Sequence, residues 1–279
     1  MLSFIVITVV VGGELLAGEL TAAVEYFGPL NITIPPLSIK CSTPAVVHIN
    51  GVLYSCGGTI ENFETSQACY KYDLASNSSV WENFTSLTGG ETNDQPAVAF
   101  PTCDFFWYFN RHIEQVPLNG GNITTFDWGK GFLGCAVGNG SNTVLIPAFK
   151  SSVLMNSDPL SPQNWTTIAT LKPDIVSNGC LWLGNTIYVT GGLSYFTGRS
   201  VNKTYLINTD TFEVKLGADM PYPIYNHAMG IIDGNPAVFG GYNGSYLSSI
   251  YVYDSATNTW SLSDRSLPQR MQGVGIVTF

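Results

Sequence analysis

The sequence predicts an all-β fold in which one small antiparallel sheet is repeated around a closed ring, a six-bladed β-propeller. Two motifs recur about every 45 residues along the 279-residue chain: an apolar run ending in Gly-Gly, and a Tyr-x-Tyr-Asp segment followed by Trp. A repeat of this length is one supersecondary unit that stacks on its neighbours. Short strands separated by turn residues, with no amphipathic helix between them, favour a closed all-β array.

The Gly-Gly pairs set the number of units. They occupy residues 12–13, 57–58, 191–192 and 240–241. The long interval between the second and third pairs has room for two degenerate copies, one ending at Asn110 and one at 147–149. We therefore predict a single domain over residues 1–279, with blades at approximately 272–279 plus 4–40, 43–88, 95–130, 133–172, 178–220 and 226–267.

Four strands are expected in each unit, and each has its own residue signature. The innermost strand is short and apolar, and hairpin signals such as Asn50-Gly51 and Asp233-Gly234 follow it. The second strand ends at the glycines, and the third carries the tyrosines. The fourth carries a tryptophan in four of the units, namely Trp81, Trp128, Trp165 and Trp260.

The two ends of the chain supply complementary parts of one blade. The chain ends on an innermost-type strand at 273–279 and begins on a second-type strand at 4–11. Pairing the two would close the ring and remove its free edges. The alternative is a signal peptide from Met1 to about Ala23, although no basic residue precedes the apolar run. If the blade interpretation holds, a secretion signal is missing from this chain.

The order of the motifs resembles the kelch repeat, most clearly at Gly240-Gly241, Tyr251-Val-Tyr253-Asp254 and Trp260. The resemblance covers essentially the whole chain, is weakest in blades 3 and 4, and implies a six-bladed kelch propeller of the extracellular, glycosylated kind. Glycine allows a positive φ where the second strand leaves the sheet. The tyrosines and tryptophans are expected to be wedges that pack one blade against the next.

Composition argues against several classes of partner. The net charge is −9, and the 11 basic residues form no cluster, so nucleic acid and anionic membrane surfaces are poor candidates. Apart from the N-terminal run, no segment approaches the length needed to span a membrane.

The sequence offers little for catalysis. The histidines, His48, His112 and His227, lie in no metal-ligand spacing and are expected to be structural. Kelch propellers include copper-radical oxidases, which need two His, two Tyr and a Cys cross-linked to Tyr. Tyr225 and His227 are close, but no matched set follows. A sialidase-like site would need an arginine cluster, and the four arginines are scattered. We predict no catalytic residue, cofactor or metal site, and no enzyme activity.

Asn-x-Ser/Thr sequons are about twice as frequent as chance predicts, which indicates N-linked glycans and a secreted or cell-surface protein. The predicted glycosylation sites are Asn31, Asn77, Asn83, Asn122, Asn139, Asn164, Asn202 and Asn243.

Six cysteines allow one or two disulfides. Cys56 ends a second strand and Cys69 opens the third, so the two would face each other in a hairpin, and we predict a disulfide between them. Cys135 and Cys180 lie on innermost strands of neighbouring blades and are expected to be small buried hydrophobic residues. Cys41 and Cys103 remain unassigned.

Function in a propeller depends on its loops, because packing consumes the blades. The longest second-to-third loops, 14–21, 59–67, 193–202 and 242–247, should share one face of the ring. We expect this face to bind an extracellular protein, with the amphipathic side chains Tyr195, Phe196, Arg199, Tyr242 and Tyr246 as anchors. The alternatives are a carbohydrate-binding propeller, since exposed aromatics also stack on sugars, and a degenerate oxidase-like or sialidase-like enzyme.

Overall fold

The fold is a six-bladed β-propeller. The computed structural model describes residues 7–28, 33–76, 78–89, 96–100, 102–110, 112–127, 133–147, 152–172 and 174–279. Each blade is an antiparallel sheet whose innermost strand lines the ring axis. The innermost strand of each blade contacts those of the two neighbouring blades, and the last such strand in the chain touches both blade 2 and blade 6, which closes the ring.

Blades 2 to 4 each contain four strands, in the order innermost to outermost. Blade 2 is formed by Ala45–Ile49, Val52–Cys56, Ala68–Asp73 and Glu82–Ser86. Blade 3 is formed by Ala97–Ala99, Phe105–Phe109, Ile113–Pro117 and Thr124–Phe126. Blade 4 is formed by Leu133–Gly138, Thr143–Pro147, Ser152–Asn156 and Thr166–Thr170.

Blades 5 and 6 carry small additions to the same plan. Blade 5 is formed by Gly179–Leu183, Thr186–Thr190, Thr204–Asn208 and Val214–Leu216, with a two-stranded sheet of Ile175–Val176 and Leu193–Ser194 beside it. Blade 6 is formed by Ala228–Ile232, Asn235–Phe239, Leu247–Asp254 and Thr259–Gln272. Its long outermost strand continues past the blade, and its end pairs with Glu14–Leu15.

Blade 1 joins the two ends of the chain. Gly275–Thr278 is innermost, Thr8–Val11 pairs with it, and Val24–Phe27 follows, so three strands lie within the described part of this blade. The sequence pattern also predicts a fourth strand at 31–34, but no strand forms at Thr33 and Ile34, and residues 31 and 32 lie outside the described residues. The fold therefore uses the N-terminal apolar segment as a central blade strand.

Two short 3₁₀ helices, Leu16–Gly18 and Glu61–Phe63, lie in the second-to-third loops of blades 1 and 2. Within the described ranges, no helix is both long enough and apolar enough to cross a membrane.

Apolar clusters fill the interfaces between neighbouring blades, as the aromatic repeat predicts. Trp81 of blade 2 is buried against the strands of blade 1, and its Nε1 donates a hydrogen bond to the Pro35 carbonyl at 2.9 Å. Trp260 of blade 6 reaches blade 5 in the same way and donates to the Ala218 carbonyl at 3.1 Å. The repeat aromatics are thus used for packing.

The Gly-Gly pairs are required where the second strand leaves its blade. Gly191 and Gly192 have φ of +57° and +100°, and a Cβ on Gly191 would lie 2.5 Å from the Ile224 carbonyl oxygen. The backbone N–H of Gly192 donates to that carbonyl at 2.7 Å. The glycines therefore let the strand end approach the connection that leads to the next blade.

Blade 3 lacks a Gly-Gly pair and uses a buried carboxylate instead. Glu114, which is fully buried, accepts hydrogen bonds from the backbone N–H groups of Thr88 at 2.8 Å and Gly89 at 3.1 Å. The Asn110 amide also donates to Glu114. Side chains therefore tie the end of blade 3 to the connection from blade 2.

Two disulfides are present. Cys56 and Cys69 are joined across the hairpin of blade 2, with Cα atoms 4.1 Å apart. The expectation for Cys135 and Cys180 was wrong, because these residues also form a disulfide, with Cα atoms 6.1 Å apart. Their strands are hydrogen-bonded in different sheets but face each other across the inner edge of the ring. Cys41 is a buried free thiol, and Cys103 is free and partly buried.

Candidate functional site

The long second-to-third loops lie on one face of the ring, together with the connections between blades. We call residues 14–21, 59–67, 193–202 and 242–247 the loop face. Backbone bridges join these loops to the connections, as between Ser42 and Thr59 and between Tyr225 and Tyr242. The hairpins between innermost and second strands lie on the opposite face, because successive strands are antiparallel.

The blade 5 part of the loop face presents two aromatic side chains to solvent. Tyr195 is 52% exposed and Phe196 is 79% exposed, and their rings pack edge to face with centroids 5.6 Å apart. Arg199 is exposed on the same loop, whose backbone turns back through hydrogen bonds of the Ser194 N–H to the Arg199 carbonyl. These three predicted anchors are brought together on one protruding loop.

The blade 6 part is a row of three tyrosines. Tyr242 lies between Tyr225 and Tyr246, with ring centroids 5.3 and 5.6 Å away. The Tyr246 hydroxyl donates to Glu14 Oε1 at 2.7 Å, and the Gln272 amide donates to Glu14 Oε2 at 3.1 Å. Burial, with the hydrogen bond to Glu14 and its charge, raises the pKa of Tyr246 to about 12.

The tyrosine row is more enclosed than the blade 5 pair, because all three rings are only partly exposed. Tyr246 also ties blade 6 to the loop of blade 1 through Glu14. We conclude that Tyr242 and Tyr246 shape the loop face, whereas Tyr195 and Phe196 protrude from it.

Two exposed apolar residues on the loop face were not among the predicted anchors. Leu16 of blade 1 is 69% exposed, and Phe63 of blade 2 is 89% exposed. Phe63 has a φ of +59° and follows Asn62 at +61°. The sequence signal that could have identified them is an apolar residue inside a long loop. Apolar loop residues are common, however, and their exposure and φ depend on how the loop folds.

A small cavity of about 160 Å³ opens at the ring axis on the same side as the loop face. Its lining includes Cys135 and Cys180, together with Asn178, Asn226 and His227. His227 is buried, and its Nε2 lies 2.8 Å from the Thr190 hydroxyl. Burial lowers the pKa of His227 to about 4, although a hydrogen bond with the Thr190 backbone opposes this.

The lowered pKa makes part of the stability pH-dependent. The unfolded chain takes up a proton near pH 6.5, while folded His227 does so only near pH 4, so the stabilising contribution is complete above pH 6.5 and is lost as pH falls to 4. We expect a loss of about 3 kcal/mol over this range. The His227→Gln variant should not show this pH-dependent loss. In thermal melts from pH 7 to pH 4, the difference in melting temperature between wild type and the variant should therefore become smaller. A gap that is constant with pH would contradict the assignment.

The other histidines have structural contacts. The His48 ring stacks on Phe279 with centroids 3.8 Å apart, and its Nε2 accepts a hydrogen bond from the Gly51 N–H at 3.1 Å. The backbone N–H of His112 donates to Asn110 Oδ1 at 2.6 Å. In the residues that can be described, no three His, Cys, Asp or Glu side chains are grouped as a metal site would need.

Six of the eight sequons can be placed, while Asn31 and Asn77 lie outside the described residues. None of the six is on an innermost strand. The exposed ones are Asn83, Asn122, Asn139, Asn164 and Asn243. Asn202 is partly buried, and its amide donates to the Met220 carbonyl at 3.2 Å. Asn202 and Asn243 belong to the loop face.

The fold and its repeat define a six-bladed β-propeller that is similar to kelch-repeat proteins. The kelch motif model matches residues 223–262, which cover most of blade 6. Kelch-like protein 38 from Homo sapiens is 26% identical over 209 residues, covering 70% of this chain and 34% of that protein. Beta-scruin from Limulus polyphemus is 25% identical over 144 residues, covering 49% of this chain and 16% of that protein.

The chain therefore spans about a third or less of the length of these curated relatives. Among solved structures, that of YjhT superimposes with a TM-score of 0.70 at 13% identity, covering 86% of this chain and 88% of that one. At this identity the likeness concerns the fold alone.

Proposed function

We propose that this protein is a secreted or cell-surface, non-enzymatic scaffold that binds another protein through its loop face. Kelch propellers typically serve as protein-binding scaffolds. The observation that carries the choice of face is the exposed Tyr195–Phe196 pair. An edge-to-face aromatic pair that is open to solvent would bury much more apolar surface against a partner than it does in the monomer. Arg199 beside it adds the third residue type common in binding hot spots.

The extracellular location is supported by the sequons and the disulfides. Five of the six sequon asparagines that can be placed are exposed, so glycans could be attached without disturbing the blades. Two disulfides are typical of oxidising compartments. Intact-mass measurement of the native protein before and after enzymatic removal of N-glycans tests the location, and an unchanged mass would contradict it.

Capture of partners from native extracellular material tests the face. Joint replacement of Phe196 and Arg199 by alanine should weaken capture at least about tenfold, because two anchors of the contact are removed. Leu160→Ala is the matched control, since Leu160 is an exposed apolar residue on the opposite face. If the double variant and the control capture the partner equally weakly, or if only the control captures it more weakly than wild type, the choice of face is overturned.

Carbohydrate binding is the second candidate, favoured by the same exposed aromatic pair, because sugars stack on aromatic rings. A glycan array with wild type and Phe196→Ala separates the two. If wild type binds specific glycans and the variant does not, the ligand of the loop face is a glycan and not a protein. Stoichiometric copper in the purified protein would instead favour the oxidase-like alternative.

A further inference from the structure

We propose that the cleft between the loops of blades 1 and 2 on the loop face docks a protein segment in which Lys or Arg stands beside an apolar residue. This deepens the proposed protein-binding function and rests on it. It adds a further contact at residues 14–21 and 59–67, where none of the predicted anchors lies.

The cleft has the size of a binding site. Its volume is about 500 Å³, within the range of roughly 300–1,000 Å³ that is typical of ligand-binding clefts. Glu14 and Glu19 line its blade 1 side, Glu61 and Phe63 line its blade 2 side, and Lys40 comes from the connection between the two blades.

Phe63 gives the cleft an apolar wall that folding does not explain. Its side chain is 89% exposed, so its apolar area contributes almost nothing to the stability of the monomer. Its φ of +59° places a bulky residue in the left-handed region, which costs roughly 1–3 kcal/mol. Phe63 would therefore gain by contacting an apolar residue of a partner. Leu16, on the blade 1 loop, is also largely exposed but is not among the residues that line the cleft.

The charge of the two loops selects a cation. They contain Glu14, Glu19, Glu61 and Glu64 and no Lys or Arg, so Lys40 is the basic residue that the cleft contains. Glu14 is engaged by Tyr246 and Gln272, while Glu19 and Glu61 are exposed. Charge complementarity of this kind sets which partners associate, and how fast, more than it sets the final affinity.

The sequons point to the same part of the face. Asn202 and Asn243 lie in the loops of blades 5 and 6, whereas residues 14–21 and 59–67 contain no sequon. Glycans attached to the loop face would therefore lie beside the cleft, over blades 5 and 6, and would leave the cleft itself open to a macromolecule.

The probe is a short fluorescent peptide of alternating lysine and leucine. Two control peptides match it, one with glutamate in place of each lysine and one with serine in place of each leucine. Fluorescence anisotropy should show the lysine–leucine peptide binding at least about tenfold more tightly than either, and less tightly at high salt. Glu61→Lys and Phe63→Ala should each weaken binding about fivefold or more.

Glu213→Lys and Leu160→Ala are the matched controls. Both change exposed residues on the opposite face, and Glu213→Lys alters the net charge by the same amount as Glu61→Lys. Phe63→Gly, which relieves the left-handed backbone, should weaken binding without lowering the melting temperature. Peptides that bind regardless of charge, or binding that Glu61→Lys and Glu213→Lys reduce equally, would overturn the cleft proposal.

The two proposals fail differently. If the Phe196 and Arg199 replacements weaken capture of the native partner while Phe63→Ala and Glu61→Lys leave both capture and peptide binding unchanged, the cleft is wrong and the loop face stands. If Leu160→Ala alone weakens capture, both proposals are wrong.

Discussion

Val9→Asp is expected to abolish folding of the propeller. Val9 is fully buried in the central strand of blade 1, opposite Val277 on one side and Tyr26 on the other. Its side chain packs in the cluster that joins blade 1 to blade 2. An aspartate there would place an unpaired charge in an apolar core, at a cost of about 4 kcal/mol or more.

The effect should extend beyond one blade, because blade 1 closes the ring. The innermost strand Gly275–Thr278 is held in its sheet by Thr8–Val11, and the Thr8 hydroxyl also donates to the Ile231 carbonyl of blade 6 at 2.7 Å. When this strand is lost, blades 2 and 6 each lose a neighbour and expose apolar surface. We therefore expect aggregation rather than a local defect.

Val80→Asp is the matched control for this prediction. Val80 is 59% exposed in a loop of blade 2, so the same substitution should leave the melting temperature nearly unchanged. The soluble fraction after expression and the thermal melt measure both variants. A soluble Val9→Asp protein that melts like wild type would show that residues 8–11 are not part of the ring.

Glu114→Ala is expected to lower the free energy of unfolding by about 3–5 kcal/mol. The substitution removes the acceptor of three donors, the partly buried N–H groups of Thr88 and Gly89 and the buried amide of Asn110. It also leaves a cavity where blade 3 meets the connection from blade 2. For a domain of this size, we expect the melting temperature to fall by roughly 10 °C.

Glu114→Gln separates the hydrogen bonds from the packing. Glutamine keeps the side-chain volume and one carbonyl acceptor, so its loss of stability should lie between those of wild type and alanine. Glu19→Ala removes an exposed carboxylate and should change stability by less than about 0.5 kcal/mol. Chemical denaturation provides the measurement. A glutamine variant as stable as wild type would show that packing, not hydrogen bonding to the carboxylate, explains the role of Glu114.

Glu114 also shows a part of the fold that the sequence repeat did not predict. The Gly-Gly and Tyr-x-Tyr-Asp motifs predicted blades 2, 5 and 6, because glycine φ values and aromatic wedges are local requirements of each blade. In blade 3 the same end of the second strand is held by a side chain that comes from the third strand. A buried carboxylate of this kind has no periodic pattern, since its two backbone donors lie 25 and 26 residues away in the chain.

The two disulfides show the same difference between contacts that a local pattern predicts and contacts that depend on the tertiary structure. Cys56 and Cys69 are paired residues of adjacent strands, so the register of one hairpin was enough to predict that they face each other. Cys135 and Cys180 are on different sheets, and the sequence placed them correctly on neighbouring innermost strands without indicating their distance. That distance depends on how closely two blades approach at the axis, which side-chain packing between the blades decides.

The sequence by itself predicted the number of blades and the signatures of their strands, because these follow from residue patterns repeated along the chain. It favoured the joining of the chain ends in one blade but left a signal peptide as the alternative. Only the tertiary structure decided which loop residues are exposed together. The tyrosine row with Glu14 and the cleft beside Phe63 form between segments that different blades hold in place, and the edge-to-face contact of Tyr195 with Phe196 depends on how the loop of blade 5 folds. Loops have no periodicity, so their contacts are set by the ring that positions them.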